Sequence, residues 1–320
     1  MFKILISENI YNHIMGVEAS KAEAARSKLY KLLKQQPTQQ LTTEQTQQLK
    51  THPEDVLKNP SALFILDITR AEALAIQRTY GVICLSGEAP DISPLIDVND
   101  IHRSENRKPL GRGWDSVLDS VEKLPSNALI LIDRYLFSES NAAYGNGFDN
   151  VKAILNELLP RDFGTKYHVT IIYAKGDDGE AYTFQEVATR LSEISKDLGR
   201  PYEITMEVIR ITEQCAPMYY DFHDRFILSN YYCVEASHQL AAFNKNVATA
   251  RQTIIPWALF TESSLNGTST PPLEAITQAS ATLRTFSKSL PRLTNHTTYS
   301  YAVDGTVMEK CMGVRNRMIK

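Results

Sequence analysis

Residues 62–86, ALFILDITRAEALAIQRTYGVICLS, establish the fold class of this chain. The stretch begins with a continuous apolar run, as expected of a strand that is covered on both faces. Thr69 can cap a following helix, Gly81 can end it, and a second apolar run follows at residues 82–86. Because strand, helix and strand follow one another so closely, the stretch predicts a parallel crossover unit.

The same alternation of apolar runs and helical periodicity continues along the chain. Further strands are predicted at residues 2–7, 128–136, 167–174 and 202–209. Further helices are predicted at residues 17–33, 114–124, 148–159, 184–198 and 273–289. The sequence therefore predicts an α/β fold with a mainly parallel sheet flanked by helices.

Two segments depart from this pattern. Residues 35–48 are rich in glutamine and threonine, which is typical of either a solvated connection or the polar part of a helical hairpin. Residues 202–209 alternate apolar and polar side chains more than the earlier strands do, so this strand is expected nearer an edge of the sheet.

A long irregular loop at residues 88–113 carries several prolines and glycines. This loop predicts a division into an N-terminal α/β unit, residues 1–113, and a second α/β unit, residues 114–320. The second unit is expected to end in a helix followed by a basic tail.

Composition narrows the class of protein. The chain has 320 residues, 43% of them hydrophobic, and a formal net charge of −3. This net charge argues against a broadly basic surface that coats nucleic acid, but it does not exclude a local basic groove. Its four cysteines form no CxxC pair, which argues against a zinc knuckle or a disulfide framework. No signal peptide or membrane span is recognisable, so a cytoplasmic protein is expected.

Acidic residues follow three of the predicted strands. Asp67, Glu88 and Asp133 each come just after a buried apolar run, where open parallel sheets form their sites. Converging carboxylates can bind Mg²⁺ or Mn²⁺ and activate water, and the segment around Asp67 resembles the first motif of PIN-type nucleases. Aspartate and threonine after a strand are equally suited to turns and helix caps. A metal-dependent nuclease is therefore one alternative for these residues, and ordinary turns and caps are the other.

Residues 221–232, DFHDRFILSNYY, combine an apolar run with groups that can hold an anion. His223, Arg225 and Asn230 are spaced as in the His-x-Lys-x4-Asp motif, so the stretch resembles the phospholipase D superfamily. The order of predicted elements over residues 128–243 is similar to that family as well. Arginine replaces the lysine of the motif, asparagine replaces the aspartate, and Ser237 and His238 stand where the family has a Gly-Ser pair.

The resemblance implies roles for these residues. In that family the histidine attacks phosphorus and the lysine holds phosphate oxygens, so His223 would be the nucleophile or acid and Arg225 the phosphate ligand. Asn230 would orient the imidazole, and Tyr231, together with Ser237 and His238, would contact the substrate. No cofactor is expected for this chemistry.

The departures from the motif change what the resemblance implies. An amide stabilises an imidazolium far less than a carboxylate does, which predicts weakened or lost catalysis. The chain carries one motif where the family uses two, so an active enzyme would be a homodimer in which two His223 side chains face each other. The function implied is recognition or hydrolysis of phosphodiesters, above all those of nucleic acid.

A further alternative is a non-enzymatic sensor or scaffold that binds a protein or a nucleotide. The tyrosines near Arg225 could stack bases or pack as ordinary strand residues. These tyrosines are Tyr219, Tyr220, Tyr231 and Tyr232.

Overall fold

The computed structural model describes residues 2–19, 27–96, 102–103, 110–138, 146–174, 181–211, 225–249, 251–266, 271–286, 295–301, 307–311 and 316–319. These ranges contain a four-stranded sheet, a nine-stranded sheet and a short hairpin, with helices between the strands. The predicted α/β class is confirmed.

The smaller sheet belongs to the first part of the chain and is entirely parallel. Its strands are β1 (Ile4–Ser7), β2 (Thr38–Leu41), β3 (Leu63–Leu66) and β4 (Ile83–Ser86). They lie in the order β2-β1-β3-β4. The accompanying helices are α1 (Glu8–Ala19), α2 (Lys28–Gln35), α3 (Thr43–Thr51) and α4 (Arg70–Tyr80).

The crossover between β3 and β4 has well-defined helix ends. Thr69 Oγ1 accepts a hydrogen bond from Glu72 N at 3.3 Å, and Glu72 Oε2 accepts one from Thr69 N at 2.8 Å, which completes a capping box. At the other end, Gly81 adopts a left-handed conformation with φ 61° and its amide donates to Gln77 O. The strand, helix and strand predicted from residues 62–86 are confirmed.

The larger sheet is mixed. Its strands are β5 (His102–Arg103), β6 (Ala128–Ile132), β7 (Tyr167–Ala174), β8 (Ile204–Ile211), β9 (Arg225–Ser229), β10 (Tyr232–Ala236), β13 (Thr253–Ala258), β14 (Asn295–Tyr301) and β15 (Val307–Cys311). The separate hairpin consists of β11 (Phe243–Asn244) and β12 (Val247–Ala248). The order is β15-β14-β8-β7-β6-β9-β10-β13-β5. Strands β6, β7 and β8 are parallel, and the other neighbouring pairs are antiparallel.

Both faces of the larger sheet are covered. Its helices are α5 (Trp114–Leu118), α6 (Asn146–Leu158), α7 (Phe184–Asp197) and α8 (Pro271–Phe286). Leu129 and Leu131 of β6 pack with the apolar faces of α5, α6 and α7. Ile130 and Ile132 point the other way, into a core that includes α8 and residues of the smaller sheet. Within the described ranges, no helix is long and apolar enough to cross a membrane.

The two sheets therefore share a hydrophobic core. The first sheet ends at Ser86, whereas His102 and Arg103 already pair with β13 of the larger sheet. The change of sheet thus falls before the predicted boundary at residue 113. The division into units of residues 1–113 and 114–320 stays a prediction.

The position predicted for residues 202–209 is confirmed, because β8 is nearer an edge of the larger sheet than β6 and β7 are. Strand β8 is not the edge strand itself, since the C-terminal hairpin of β14 and β15 extends the sheet beyond it. Polar side chains of β8 are nevertheless covered. Glu207 is buried and its Oε2 accepts a hydrogen bond of 2.7 Å from Thr170 Oγ1 on β7. Polar positions of this strand are therefore buried and hydrogen-bonded.

Two helix predictions near the N-terminus need correction. The single helix predicted at residues 17–33 is wrong, because Ser27 is extended and caps α2, while α1 begins already at Glu8. Residues 35–48 contain the edge strand β2 and most of α3, whose capping box joins Thr42 and Gln45. The polar composition of this segment reflects the edge of the sheet and an exposed helix.

Candidate functional site

One end of the larger sheet gathers the charged residues that follow or begin its central strands. Asp133 comes directly after β6, and Arg225 is the first residue of β9. Because β6 and β9 are antiparallel with Ile132 opposite Phe226, Arg225 lies beside the segment that follows β6. We call the group formed by Asp133, Arg134, Tyr135 and Arg225 the arginine edge.

The carboxyl group of Asp133 is fully buried at the arginine edge. Its Oδ1 accepts a hydrogen bond from Tyr135 N at 2.9 Å, and its Oδ2 accepts one from Leu240 N at 2.6 Å. Burial raises the pKa of this carboxyl to about 6, although both amides and the charge of Arg225 favour the ionised form. Asp133 therefore joins the turn after β6 to the loop after β10.

We expect Asp133 to make stability depend on pH. Its pKa lies above the unfolded value of 3.8, so the folded state holds this proton more tightly, and the contribution of Asp133 falls as the pH rises from about 4 to about 6. Asp133→Asn cannot titrate and also loses one acceptor for a backbone amide. In urea titrations, the advantage of the wild type over this variant should shrink by roughly 2 kcal/mol between pH 4 and pH 7. A constant difference would contradict the raised pKa.

Two guanidinium groups lie against the ring of Tyr135. The Cζ atom of Arg225 is 5.5 Å from the ring centroid, and that of Arg134 is 5.6 Å from it. Tyr135 and Arg225 are partly exposed, whereas Arg134 is buried. The Nε of Arg225 is buried and has no hydrogen-bond partner among the residues that the structure describes. The arginine edge thus places two cations and one buried carboxyl beside one another.

The other residues predicted near Arg225 differ in their placement. Ser237 and His238 follow β10, whose last residue, Ala236, is opposite Arg225, and both are exposed. Ser237 Oγ accepts a hydrogen bond of 2.8 Å from Thr253 N. Their contact with a substrate stays a prediction. His223 lies outside the described residues, and so the predicted pair of histidines in a homodimer stays a prediction too.

The role predicted for Asn230 is wrong. Its Oδ1 accepts hydrogen bonds from the amides of Asn127 and Ala128, at 3.1 and 3.2 Å. Its Nδ2 donates to Pro60 O at 3.2 Å and to Ser61 Oγ at 3.1 Å. These four bonds use the whole hydrogen-bonding capacity of the side-chain amide. Asn230 follows the last residue of β9, whereas Arg225 is the first residue of that strand. Asn230 therefore joins the two sheets and does not orient an imidazole.

The substrate contact predicted for Tyr231 is also wrong. Tyr231 is completely buried, its hydroxyl donates to Ala62 O at 2.7 Å, and it accepts from Ile83 N at 3.1 Å. The hydroxyl thus bridges the beginnings of β3 and β4. Tyr232 is buried as well, so neither side chain is accessible to a base, and Tyr219 and Tyr220 lie outside the described residues. We call the contacts of Asn230 and Tyr231 with the smaller sheet the sheet junction.

The structure contradicts the alternative metal site. Asp67 and Glu88 are exposed at the smaller sheet, and Asp67 Oδ2 accepts a hydrogen bond of 3.0 Å from Asn9 Nδ2. Asp133 follows a strand of the larger sheet, and each of its carboxylate oxygens accepts a hydrogen bond from a backbone amide. Searched over the ranges that the structure describes, the chain has no group of three or more histidine, cysteine, aspartate or glutamate side chains that could hold a metal ion. The predicted Mg²⁺ or Mn²⁺ site at these three carboxylates is therefore wrong.

Comparison with known proteins assigns no family to the chain. No family model matches its sequence, and no curated protein matches it significantly. Sequence reasoning identified Arg225 and Asp133 separately but missed Arg134 and Tyr135, although both directly follow a strand in the position that favours sites.

Proposed function

We propose that this protein recognises phosphodiesters of nucleic acid at the arginine edge, with catalysis weakened or lost. The observation that carries the proposal is the position of Arg225, whose guanidinium lies 5.5 Å from the Tyr135 ring beside the second cation, Arg134. Guanidinium groups bind phosphate oxygens through charge-assisted hydrogen bonds, and a stacked guanidinium loses little freedom when it does so.

The surroundings of Arg225 favour an external anion. Arg225 is partly exposed, so an anion can approach its side chain from solvent. Asp133, the nearest carboxyl of the arginine edge, already accepts two backbone amides and has a raised pKa. Its negative charge is therefore reduced in mildly acidic solution.

Asn230 is the reason to propose recognition of phosphodiesters rather than their efficient cleavage. In the phospholipase D resemblance this position belongs to the catalytic motif, but here its amide is fully used at the sheet junction. A divergent phospholipase D-like unit that retains phosphate binding fits both observations. Any residual cleavage through His223 is expected to resist EDTA and to disappear in His223→Ala.

Equilibrium binding of a fluorescent single-stranded oligonucleotide tests this proposal. Arg225→Gln removes the charge and the planar fork, and we expect the dissociation constant to rise about tenfold in fluorescence polarisation. Arg161→Gln is the matched control, since Arg161 is exposed just after α6, away from the arginine edge. Equal affinities of Arg225→Gln and the wild type would refute the proposal.

A further inference from the structure

An aromatic cluster capped by an arginine lies next to the arginine edge. The rings of Phe137 and Phe148 are stacked with centroids 4.6 Å apart, and Phe148 meets Tyr182 edge-on at 5.2 Å. The Cζ atom of Arg190 lies 5.0 Å from the centroid of Phe148 and 4.5 Å from that of Tyr182. Tyr173 packs edge-on against Phe137, with ring centroids 5.0 Å apart.

The cluster is continuous with the arginine edge through the chain. Phe137 follows Tyr135 by two residues, and Tyr173 stands at the end of β7, the neighbour of β6. Phe148 belongs to the first turn of α6, and Tyr182 precedes α7. The aromatic rings therefore extend away from the phosphate-binding groups along the same end of the larger sheet.

Exposure within the cluster increases outward. Phe137 and Tyr173 are buried, Phe148 and Tyr182 are partly buried, and Arg190 is exposed. Glu186, which faces Arg190 on the same helix, has its carboxylate held by Thr183, with Oε2 accepting from the amide and from the hydroxyl at 2.8 Å each. The carboxylate of Glu186, four residues before Arg190, is thus engaged in capping α7, and one face of the Arg190 guanidinium rests on the aromatic rings.

We propose that the Arg190 guanidinium, held against the rings of Phe148 and Tyr182, is a stacking platform for the unpaired bases of single-stranded nucleic acid. The proposal rests on the proposed function, because the phosphates of the same strand would bind the arginine edge. The outer plane of the exposed Arg190 guanidinium offers a stacking surface that accepts any base, and the bases of a duplex do not expose their faces. The platform therefore selects single strands over duplexes without selecting a sequence.

Two variants separate stacking from charge. Arg190→Lys keeps the positive charge but removes the planar group, and Tyr182→Leu keeps an apolar side chain but removes the ring. The probes are a fluorescent single-stranded DNA oligonucleotide, the same oligonucleotide with abasic sites, and a duplex competitor. All measurements use the full chain, with Arg161→Gln as the control for loss of a surface arginine.

We expect each variant to bind the oligonucleotide with bases about tenfold more weakly and the abasic one as the wild type does. Equal losses on both probes, unchanged binding of both, or a duplex that competes as well as the single strand would overturn the platform. If the arginine edge does not bind phosphate, the result is different: Arg225→Gln then binds the abasic probe with wild-type affinity.

Discussion

Replacement of Asn230 with alanine is expected to lower the free energy of unfolding by about 3 kcal/mol or more. The change removes four hydrogen bonds at once and leaves the amides of Asn127 and Ala128 without their acceptor. Asn230 is 1% exposed, so water cannot replace these bonds without local opening. Denaturation with urea, followed by circular dichroism, measures the loss.

Asn156→Ala is the matched control for this prediction. Asn156 is exposed on α6, where alanine is a better helix former than asparagine, so this substitution should leave stability unchanged or raise it slightly. If Asn230→Ala unfolds at the same urea concentration as the wild type, the sheet junction does not hold the two sheets together.

Replacement of Gly81 with alanine should destabilise the protein by about 3 kcal/mol. Gly81 has φ 61°, and a Cβ atom there would come within 2.1 Å of Ser126 O, a backbone atom of the segment before β6. Both the left-handed backbone and the clash oppose a side chain, and relief of the clash requires α4 and residues 126–127 to separate. Asn127 Nδ2 also donates to Gly81 O at 3.1 Å, so the same movement strains the sheet junction.

Gly199→Ala distinguishes the clash from the backbone effect. Gly199 has φ 57°, but a Cβ atom at this position would meet no described atom within 4 Å, so only the left-handed backbone opposes alanine, at about 1 kcal/mol. Thermal unfolding of both variants gives the comparison. Equal losses for the two glycines would mean that the close approach of Gly81 to Ser126 does not contribute.

The fold could be predicted largely because its buried strands are local signals. Residues 62–66, 82–85 and 128–132 are continuous apolar runs, and the structure places β3, β4 and β6 there. The antiparallel half of the larger sheet could not be predicted in this way. Pairing of β8 with β14 joins segments about ninety residues apart, and no local pattern encodes a partner at that separation.

The candidate site was predictable only in part, for a related reason. From sequence, a polar residue after a strand is a candidate ligand whether its side chain faces solvent or a distant carbonyl. The side chain of Asn230 donates to the carbonyl of Pro60, which is 170 residues away in the sequence. Arg225 and Asp133 became neighbours through the antiparallel pairing of β6 and β9, which a mainly parallel sheet does not provide. The sequence makes Tyr231 and Tyr232 candidates for stacking, but both are buried, whereas Tyr135 and Tyr182 are partly exposed.

Salt dependence of oligonucleotide binding tests phosphate recognition at the arginine edge. The logarithm of the association constant of the wild type should fall linearly with the logarithm of the salt concentration. Each phosphate contact on a single strand contributes about 0.7 to that slope, so Arg225→Gln should reduce its magnitude by about that amount, and Arg161→Gln should not. Identical slopes and affinities for the wild type and Arg225→Gln would contradict the account.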